Sequence, residues 1–486
     1  MKKLLFILAF ALILGCSKEE SNDKEQETVK YTVSITPNPT NGGIVSPDGG
    51  QFNQYQQVTF NVSPNQNYEF EKWSGDWNST DIPLTLTIDR NMDIVMNFKL
   101  KDSDGDGVTD DIDLCPNTPS GSLVDENGCF YLELTYGGGA NDSGYSVKET
   151  SDGGFIVGGS TRSYGNGLSD IYLIKTDATG NIEWEKTFGG GDMEYAESIE
   201  QTEDGGYILV GSVTTEQNSK VLVLKLNPQG DKQWEKTFGG SIANYGRVIK
   251  QTPNGNYILV GNRMSEDNYR YNLYAVKLDS NGNMLWEKTF GSDLQDEGYS
   301  VEITPDNGFV LAGFNTTEND GKNMYVVKVD SDGTLQWENS FGGSEEEIAY
   351  DIKITKDDGF AVVGRTLTYG SGSSDFYLVK ITSGGELQWS KTFGGSQGET
   401  ALSIDETADG GLILVGYTFS YGNGGRDVYV VKANSNGDLS WEKVFGGSGW
   451  DYGEEIQELS NGGFVVIGST ASYGNGEFDV YMIRLE

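Results

Sequence analysis

Apolar and polar residues alternate along short stretches of this chain, and glycine, asparagine or aspartate bounds each stretch. Residues 31–35 read YTVSI and residues 94–98 read IVMNF, with apolar side chains at every second position. Because successive side chains of a β-strand point to opposite faces, this period of two predicts half-buried strands. Glycine is frequent (67 of 486 residues), and short runs of Val, Ile, Tyr and Thr recur, so the pattern predicts an all-β protein.

From residue 130 to residue 486 a unit of about fifty residues recurs. Each unit contains four short apolar runs, which in the first unit lie at residues 145–150, 155–161, 170–177 and 182–188. A turn of the type Asp-Gly-Gly joins the first two runs and occurs in seven versions. A tryptophan marks the unit six times, 50 to 52 residues apart, at Trp184, Trp234, Trp286, Trp337, Trp389 and Trp441. Seven units of four strands predict a seven-bladed β-propeller, and the unit resembles bacterial β-propeller repeats that end in a Trp-x-Lys-Thr-Phe-Gly-Gly strand.

The two ends of the repeat region complete each other. The last unit ends with residues 482–486, before a fourth strand, whereas residues 132–138 (LELTYGG) precede the first unit and align with residues 184–190 (WEKTFGG). Leu132 lies 52 residues before Trp184, which is one repeat. We therefore expect residues 132–136 to pair with residues 480–485 and to close the ring, so that no sheet edge is left exposed.

The N-terminus has the pattern of an export signal. Two lysines are followed by an apolar run at residues 4–14, too short to span a bilayer, and residues 13–16 read ILGC. This resembles the lipobox of bacterial lipoproteins, which implies a signal peptide at residues 1–16 and acylation of Cys16. Residues 17–20 (SKEE) are similar to the surface-export signal of Bacteroidetes lipoproteins. Residues 17–29 are almost wholly polar and predict a flexible tether, and the resemblance implies an outer-membrane, surface-exposed protein that contacts the membrane only through its lipid.

Residues 30–100 form a candidate small domain. Their alternating stretches surround the segment YEFEKWSGD at residues 68–76, and the whole resembles the internalin-type B repeat of bacterial surface proteins. The resemblance implies a small β domain that acts as a spacer or an adhesive element. Since so small a domain needs a large aromatic side chain in its core, we expect Trp73 to be buried.

Residues 101–129 carry a candidate calcium-binding linker. Carboxylates lie at positions 1, 3, 5, 9 and 12 of a loop that starts at residue 102, with a glycine at position 6 and the Val108 carbonyl at position 7. This spacing surrounds calcium with oxygen ligands, and carboxylates so close together repel one another unless a cation lies between them. The candidate carboxylate ligands are Asp102, Asp104, Asp106, Asp110 and Asp113.

The linker also contains two cysteines. With the following sequence it resembles a thrombospondin type 3 repeat of bacterial outer-membrane proteins, which implies a stiff calcium-bound connector. Cys115 and Cys129 are the only other cysteines of the chain besides Cys16, and in an oxidising compartment they pair most simply with each other.

Charge and composition exclude several functions. The formal net charge is −39, which repels phosphate backbones and disfavours nucleic acid and anionic lipid as partners. The chain contains no histidine, so hydrolysis by a serine–histidine or cysteine–histidine arrangement and histidine-ligated zinc chemistry are excluded.

A ligand is expected at the loops on one face of the propeller, because the strands are committed to packing between blades. We assign the repeated tryptophans to that packing, whereas Trp450 has no counterpart in the other units. Tyrosines with amides and carboxylates suit sugar rings or extended peptides, although the recurring Ser-Tyr-Gly-Asn-Gly sequence is also a good hairpin turn. The candidate ligand residues are Tyr164, Asn166, Tyr195, Tyr245, Tyr369, Tyr421, Asn423, Trp450, Asp451, Tyr452, Tyr473 and Asn475.

Three functions are compatible with the sequence. The first is a non-catalytic surface receptor or adhesin that captures a glycan or a protein, because the layout resembles surface lipoproteins of that kind. The second is a carbohydrate-active hydrolase or lyase with paired carboxylates on the loop face, against which no acid stands out from the repeat in surroundings that would raise its pKa. The third is a structural subunit of an outer-membrane complex.

Overall fold

A computed structural model describes residues 28–118, 120–125, 127–240, 242–318 and 321–485. The expected signal peptide with Cys16, and the tether up to residue 27, lie outside the described residues. Every regular element within these ranges is a β-strand, which confirms the all-β prediction, and none of the described residues forms a helix able to cross a membrane. The chain divides into two compact units, Met1–Cys129 and Phe130–Glu486.

The first unit contains two small sheets. Its strands are β1 (Lys30–Asn38), β2 (Gly43–Ser46), β3 (Gly49–Asn53), β4 (Gln57–Pro64), β5 (Tyr68–Gly75), β6 (Leu84–Thr87) and β7 (Met92–Leu100). One sheet has the order β3-β1-β7-β5 and the other has the order β2-β4-β6. Trp73 is fully buried among apolar side chains from both sheets, and its indole N–H donates to the carbonyl of Asp81 at 2.9 Å, so the prediction of a core tryptophan is confirmed.

The second unit consists of repeated four-stranded antiparallel sheets, as in a propeller. It begins with β8 (Tyr131–Tyr136), and the first sheet follows with β9 (Asp142–Glu149), β10 (Phe155–Thr161), β11 (Asp170–Thr176) and β12 (Ile182–Phe188). The second sheet contains β13 (Met193–Gln201), β14 (Tyr207–Thr214), β15 (Ser219–Leu226) and β16 (Lys232–Phe238), and the third contains β17 (Asn244–Gln251), β18 (Tyr257–Met264), β19 (Tyr271–Leu278) and β20 (Met284–Phe290).

Four further sheets repeat this order. The fourth contains β21 (Glu297–Ile303), β22 (Phe309–Thr317), β23 (Gly321–Val329) and β24 (Leu335–Phe341), and the fifth contains β25 (Glu347–Ile354), β26 (Phe360–Thr366), β27 (Asp375–Ile381) and β28 (Leu387–Phe393). The sixth contains β29 (Glu399–Glu406), β30 (Leu412–Thr418), β31 (Asp427–Ala433) and β32 (Leu439–Phe445), and the last contains β33 (Asp451–Glu458), β34 (Phe464–Thr470), β35 (Asp479–Leu485) and β8.

The first strand of each sheet contacts the first strands of its two neighbours, and β33 of the last sheet contacts β9 of the first. The sheets of this unit therefore form a closed ring with these strands innermost. Strand β8 pairs antiparallel with β35, with Leu134 opposite Met482 and Leu132 opposite Arg484. The pairing expected from the two ends of the repeat region is present.

The repeated tryptophans pack between neighbouring sheets, as expected. Each tryptophan at the outer strand lies against the first residue of the second strand in the next sheet. The ring centroids are 5.9 to 6.2 Å apart for Trp184–Tyr207, Trp234–Tyr257, Trp286–Phe309, Trp337–Phe360 and Trp441–Phe464, and Trp389 packs on the cluster that contains Leu412. Aromatic contacts of this kind add to the stability supplied by burial alone.

A buried lysine fixes the turn between the first two strands in several sheets. In the first sheet, Lys175 is almost fully buried and its Nζ lies 3.1 Å from the Asp152 carboxylate. Burial opposes ionisation of Asp152, but hydrogen bonds from Thr150 and Gly154 and the charge of Lys175 lower the pKa of Asp152 to about 2. The same pair occurs as Asp204–Lys225, Asp306–Lys328, Asp357–Lys380 and Asp409–Lys432. In each of these sheets, a lysine of the third strand therefore holds the aspartate of the turn that joins the first strand to the second.

Buried carboxylates meet at several junctions between sheets. At the junction of the sixth and the last sheet, Asp427 and Asp451 are both buried beside Gly446, where a Cβ atom would lie 2.5 Å from Asp451 Oδ2 and 2.7 Å from Asp427 Oδ1. Only glycine fits there, and its φ of 132° also favours glycine. Further pairs of this kind are Asp142–Asp479, Asp170–Glu194 and Asp375–Glu399. Burial, with the charge of Asp451, raises the pKa of Asp427 to about 6, and burial with Glu399 does the same for Asp375.

We predict that Asp427→Asn stabilises the protein at neutral pH. The folded-state pKa of Asp427 lies above the usual value of an aspartate, so the protonated form favours folding, and this contribution is lost as the pH rises through about 6. An asparagine needs no proton, and its side-chain amide can donate to Asp451. The equivalent junction of the fourth and fifth sheets already has such a pair, with Asn323 beside Glu347. Thermal unfolding at pH 7.5 should show a gain of about 1 kcal/mol that disappears near pH 4.

The control for this prediction is Asp332→Asn, which removes the same charge from an exposed turn. It should leave the pH dependence of unfolding unchanged. A gain from Asp427→Asn that is equal at pH 4 and pH 7.5 would contradict the assigned protonation.

Candidate functional site

The loops between second and third strands lie beside the loops that lead from one sheet to the next. Short parallel bridges join them, as between Ser169 and Met193 and between Ser374 and Gly398. We call this side of the ring the loop face. Every candidate ligand residue from the sequence lies in these loops or at the adjoining strand ends, but their exposures differ.

Four candidate tyrosines are held by the turns that contain them. The hydroxyl group of each donates to a glycine carbonyl at the end of the neighbouring outer strand, at 2.8 to 3.1 Å. The pairs are Tyr164–Gly137, Tyr369–Gly342, Tyr421–Gly394 and Tyr473–Gly446. Their rings lie against a second tyrosine of the same sheet. These contacts favour the alternative in which the sequence Ser-Tyr-Gly-Asn-Gly serves as a turn.

The candidate amides belong to the same turns. The main-chain N–H of Asn166 donates to Asp170 at 2.9 Å and that of Asn475 donates to Asp479 at 2.8 Å, while Asn423 bonds Asp427 in the same way. Their exposed side chains are therefore carried on rigid turns.

Asp451 does not reach the loop face, which corrects the expectation from the sequence. It is the first residue of β33 and is fully buried, because its carboxylate accepts hydrogen bonds from the hydroxyl groups of Thr470 and Ser472 and from the N–H of Gly447. It caps the junction between two sheets and is inaccessible to a ligand.

Tyr195, Tyr245 and Tyr452 lie on innermost strands and are half-buried. The Tyr195 hydroxyl is 3.3 Å from the Met193 sulfur, and the Tyr245 ring packs on Tyr271 with centroids 6.0 Å apart. These two tyrosines line the inner edge of the loop face without forming a shared platform with Trp450.

Trp450 belongs to a cluster of aromatic rings around one arginine. The Arg426 guanidinium carbon lies 4.5 Å from the ring centroid of Tyr417, 4.9 Å from that of Phe419, and 5.1 Å from those of Trp450 and Tyr452. Its Nη1 donates to the Tyr452 hydroxyl at 2.7 Å. Trp450 is 49% exposed and Phe419 is 36% exposed. We call these five residues the aromatic–arginine cluster.

The backbone around the cluster is fixed. The N–H of Gly425 donates to Gly449 at 3.0 Å, and the N–H of Asp451 donates to the Arg426 carbonyl at 2.7 Å. A Cβ atom at position 425 would lie 2.1 Å from Cδ1 of Trp450, so the indole can lie there only because residue 425 is glycine. The cluster is thus a rigid, partly exposed surface at the junction of the sixth and last sheets.

Sequence reasoning identified Trp450 and Tyr452 but missed Arg426, Tyr417 and Phe419. The signal was that Arg426 immediately precedes β31, whereas the matching residues of the first and fifth sheets are Ser169 and Ser374.

The innermost strands surround a cavity of about 220 Å³. Lysines and acids alternate around it, with Lys148 paired to Glu455, Lys250 to Glu302 at 3.0 Å, and Lys353 to Asp405 at 2.7 Å. Glu200 and Asp351 also line the cavity, so it has five acids against three lysines and no excess of positive charge that would select an anion.

Several acids on innermost strands have a raised pKa, contrary to the sequence analysis; burial is the main cause for Glu200, Asp351 and Glu454. Burial and then the charge of Glu197 raise the pKa of Glu454 to about 7, against the opposing charge of Arg247. Glu197 itself pairs with Arg247 at 3.1 Å. The expectation that no acid stands out from the repeat in surroundings that would raise its pKa was wrong, because the surroundings of Glu454 are built by strands distant in sequence.

In the linker, Asp102, Asp104 and Asp106 offer carboxylate oxygens that all lie within 4.8 Å of one another. Asp106 Oδ2 is buried and has no hydrogen-bond partner among the described residues. Asp110 lies outside this group and instead accepts hydrogen bonds from Ser103 and pairs with Lys101 at 3.2 Å.

The remaining linker candidates take other positions. Asp113 accepts a hydrogen bond from the N–H of Cys115 at 2.7 Å, and the N–H of Val108 donates to Asp106 at 2.8 Å. Cys115 and Cys129 form a disulfide. The described linker therefore assembles part of the expected ligand set.

Comparisons with known proteins identify two modules. A family model described as a divergent InlB B-repeat domain matches residues 31–102, and one described as a β-propeller domain of unknown function matches residues 407–439. The chain thus contains a divergent B-repeat domain and a β-propeller repeat. No curated protein matches the chain.

Several solved structures are similar to part of this chain. Sqt1 from Chaetomium thermophilum, bound to the N-terminus of ribosomal protein L10, is 11% identical over 73% of this chain and 98% of its own, with a TM-score of 0.43. The Pan2 WD40 domain of Neurospora crassa is 10% identical over 75% and 97%, with a TM-score of 0.46. A protein of unknown function from Dyadobacter fermentans is 12% identical over 73% and 97%, with a TM-score of 0.42. At these scores no function is carried over to this chain.

Proposed function

We propose that this chain is a non-catalytic, lipid-anchored binding protein of the bacterial outer surface that captures a glycan or a protein on the loop face of a seven-bladed β-propeller. The aromatic–arginine cluster carries this proposal. Exposed Trp450 and Phe419 are fixed by packing and backbone hydrogen bonds, so a ligand would bury them with little loss of conformational entropy. Tryptophan, tyrosine and arginine are also the residues that dominate binding energy at protein surfaces.

The rest of the chain supports a role in display. The lipobox-like sequence that ends at Cys16, the polar tether, the B-repeat domain and the linker precede the propeller in that order. Such an order suits a domain held away from a membrane that it contacts only through a lipid.

Calcium would stiffen the linker. Asp102, Asp104 and Asp106 form an all-oxygen set, which is the donor type that calcium prefers, and one carboxylate oxygen of Asp106, Oδ2, is buried without a hydrogen-bond partner among the described residues. The Val108 carbonyl and Asp113 complete the expected loop, and Asp110 would join it by leaving Ser103. The ion would remove the repulsion between these carboxylates.

A second candidate function is hydrolysis or elimination on a carbohydrate. Glu454, with a pKa of about 7, would be available as a general acid near neutral pH, and Glu197, which pairs with Arg247, would be the second carboxyl group. Glu454 is a half-buried residue of an innermost strand, whereas the exposed aromatic side chains lie in the cluster. Binding is therefore the better supported function.

We predict that Trp450→Ala weakens ligand binding at least about tenfold, because the most exposed ring of the cluster is removed. The full-length protein and the variant would be compared on glycan and peptide arrays, with product release from each bound glycan measured in parallel. The control is Leu168→Ala, which removes an exposed apolar side chain from another loop of the same face. Unchanged binding in Trp450→Ala would overturn the proposed surface, and product release that stops in Glu454→Gln would favour the enzyme.

We predict that calcium titration of the full-length protein gives a binding heat that disappears in the double variant Asp104→Asn with Asp106→Asn. Loss of two charges weakens the attraction for a divalent cation at the place where the oxygens converge. The matched control is Asp111→Asn, since Asp111 is exposed and accepts a hydrogen bond from Thr109. Isothermal titration calorimetry that gives equal heats for the double variant and the original protein would exclude this site.

A further inference from the structure

We propose that Arg426 binds a carboxylate, and that the ligand of the aromatic–arginine cluster is a peptide segment with a single aspartate or glutamate flanked by apolar residues. This inference rests on the proposed binding function and names the chemistry that the loop face recognises. Three observations carry it: the missing ionic partner of Arg426, its unused donors, and the scarcity of other free polar groups around it.

Arg426 lacks a counter-ion in a strongly acidic chain. The chain contains 73 acidic and 34 basic residues, yet no carboxylate of the described residues lies within 4.0 Å of the Arg426 guanidinium. Four other arginines are paired, namely Arg90 with Asp89, Arg247 with Glu197, Arg263 with Glu287 and Arg365 with Glu346, whereas Arg162 and Arg270 are exposed to water. A half-buried cation without a partner is the group that gains most from an incoming anion.

The guanidinium also has unused hydrogen-bond donors. One nitrogen donates to Tyr452, and Nε is buried without an acceptor in the described part of the chain. Arg247 and Arg365 share this unpartnered Nε, but their guanidinium groups already pair with acids. The rings around Arg426 hold the guanidinium in place, and because Nε is buried, the two Nη atoms are the donors that could meet the two oxygens of a carboxylate.

The polar groups near the cluster favour a peptide over a sugar. The N–H groups of Phe419, Gly425 and Asp451 donate to the carbonyls of Gly398, Gly449 and Arg426, and the Gln397 side-chain amide donates to the Phe419 carbonyl. The hydroxyl groups of a sugar would find few free partners here, and unpaired polar groups at an interface cost binding energy. A peptide can keep its backbone groups in water, so that only one side-chain carboxylate and its apolar neighbours need partners, which Arg426 and the exposed rings supply.

Net charge limits the ligand to few carboxylates. The chain carries a formal charge of −39, so a polyanion would be repelled by the rest of the surface. A single acidic side chain feels mainly the nearby guanidinium, because charges farther away than about 8 Å are screened at physiological ionic strength.

The test uses an array of capped synthetic peptides, each with one Glu or Asp between Leu, Phe or Ala residues, beside identical peptides with Gln or Asn. We expect the full-length protein to prefer the acidic member of a pair about tenfold, and Arg426→Gln to abolish this preference. Arg426→Lys should retain only part of it, since lysine keeps the charge but lacks the planar fork.

Arg162→Gln is the matched control, because Arg162 is an exposed arginine in another loop of the same face and its replacement changes the net charge equally. It should keep the full preference. Equal unfolding temperatures of the variants would show that the effect is local.

The outcomes separate this inference from the proposed function. Binding that is lost in Trp450→Ala but unchanged in Arg426→Gln, or equal binding of acidic and amide peptides, would overturn the carboxylate assignment and leave a binding surface. Arg426-dependent binding of hexuronate oligosaccharides without peptide binding would overturn the choice of a peptide. Absence of any ligand that responds to Trp450→Ala would remove the proposed function as well.

Discussion

The pairing of β8 with β35 is the contact on which the second unit depends. It brings together residues about 350 positions apart, as shown by the Tyr481 hydroxyl, which donates to Glu133 across the two strands. The entropy cost of closing so long a loop grows only slowly with its length, so a six-residue ladder with buried side chains can offset it. Without this pairing β35 would be an exposed edge strand beside a strongly apolar core.

Closure of the ring explains why strand side chains of every sheet are buried against a neighbouring sheet. Once every sheet has two neighbours, the tryptophans of the outer strands and the aromatic residues of the next second strands become permanent interior contacts. The close packing of neighbouring sheets also places carboxylates such as Asp427 and Asp451 side by side, out of water. Strand residues are therefore committed to structure, and sequence differences that could serve a ligand are confined to the loops and the strand ends.

The fold could be predicted from the sequence because its signals are periodic. The fifty-residue repeat, the alternation within each strand and the likeness of residues 132–138 to residues 184–190 are local patterns that need no knowledge of distant contacts. The binding surface could be predicted only in part. Trp450 was identified because it breaks the repeat, whereas Arg426 differs from the serines at two matching positions but shows no role until the aromatic rings around it are known.

The two wrong expectations, for Asp451 and for Glu454, also arise because distant parts of the chain determine the surroundings of a side chain. Asp451 follows a glycine-rich loop and was expected to be exposed, but its position at the start of β33 places it under Thr470 and Ser472. The sequence around Glu454 resembles that around other acids of the chain, and the pKa of Glu454 is raised by its burial and by Glu197, which lies far away in sequence. Amide hydrogen exchange of the full-length protein tests ring closure most directly. The account predicts that residues 480–485 are as strongly protected as β34, and that the N–H groups of residues 132–136 that face β35 exchange as slowly as the bonded N–H groups of other outermost strands such as β12. Uniformly rapid exchange of residues 132–136 beside a protected β34 would contradict it.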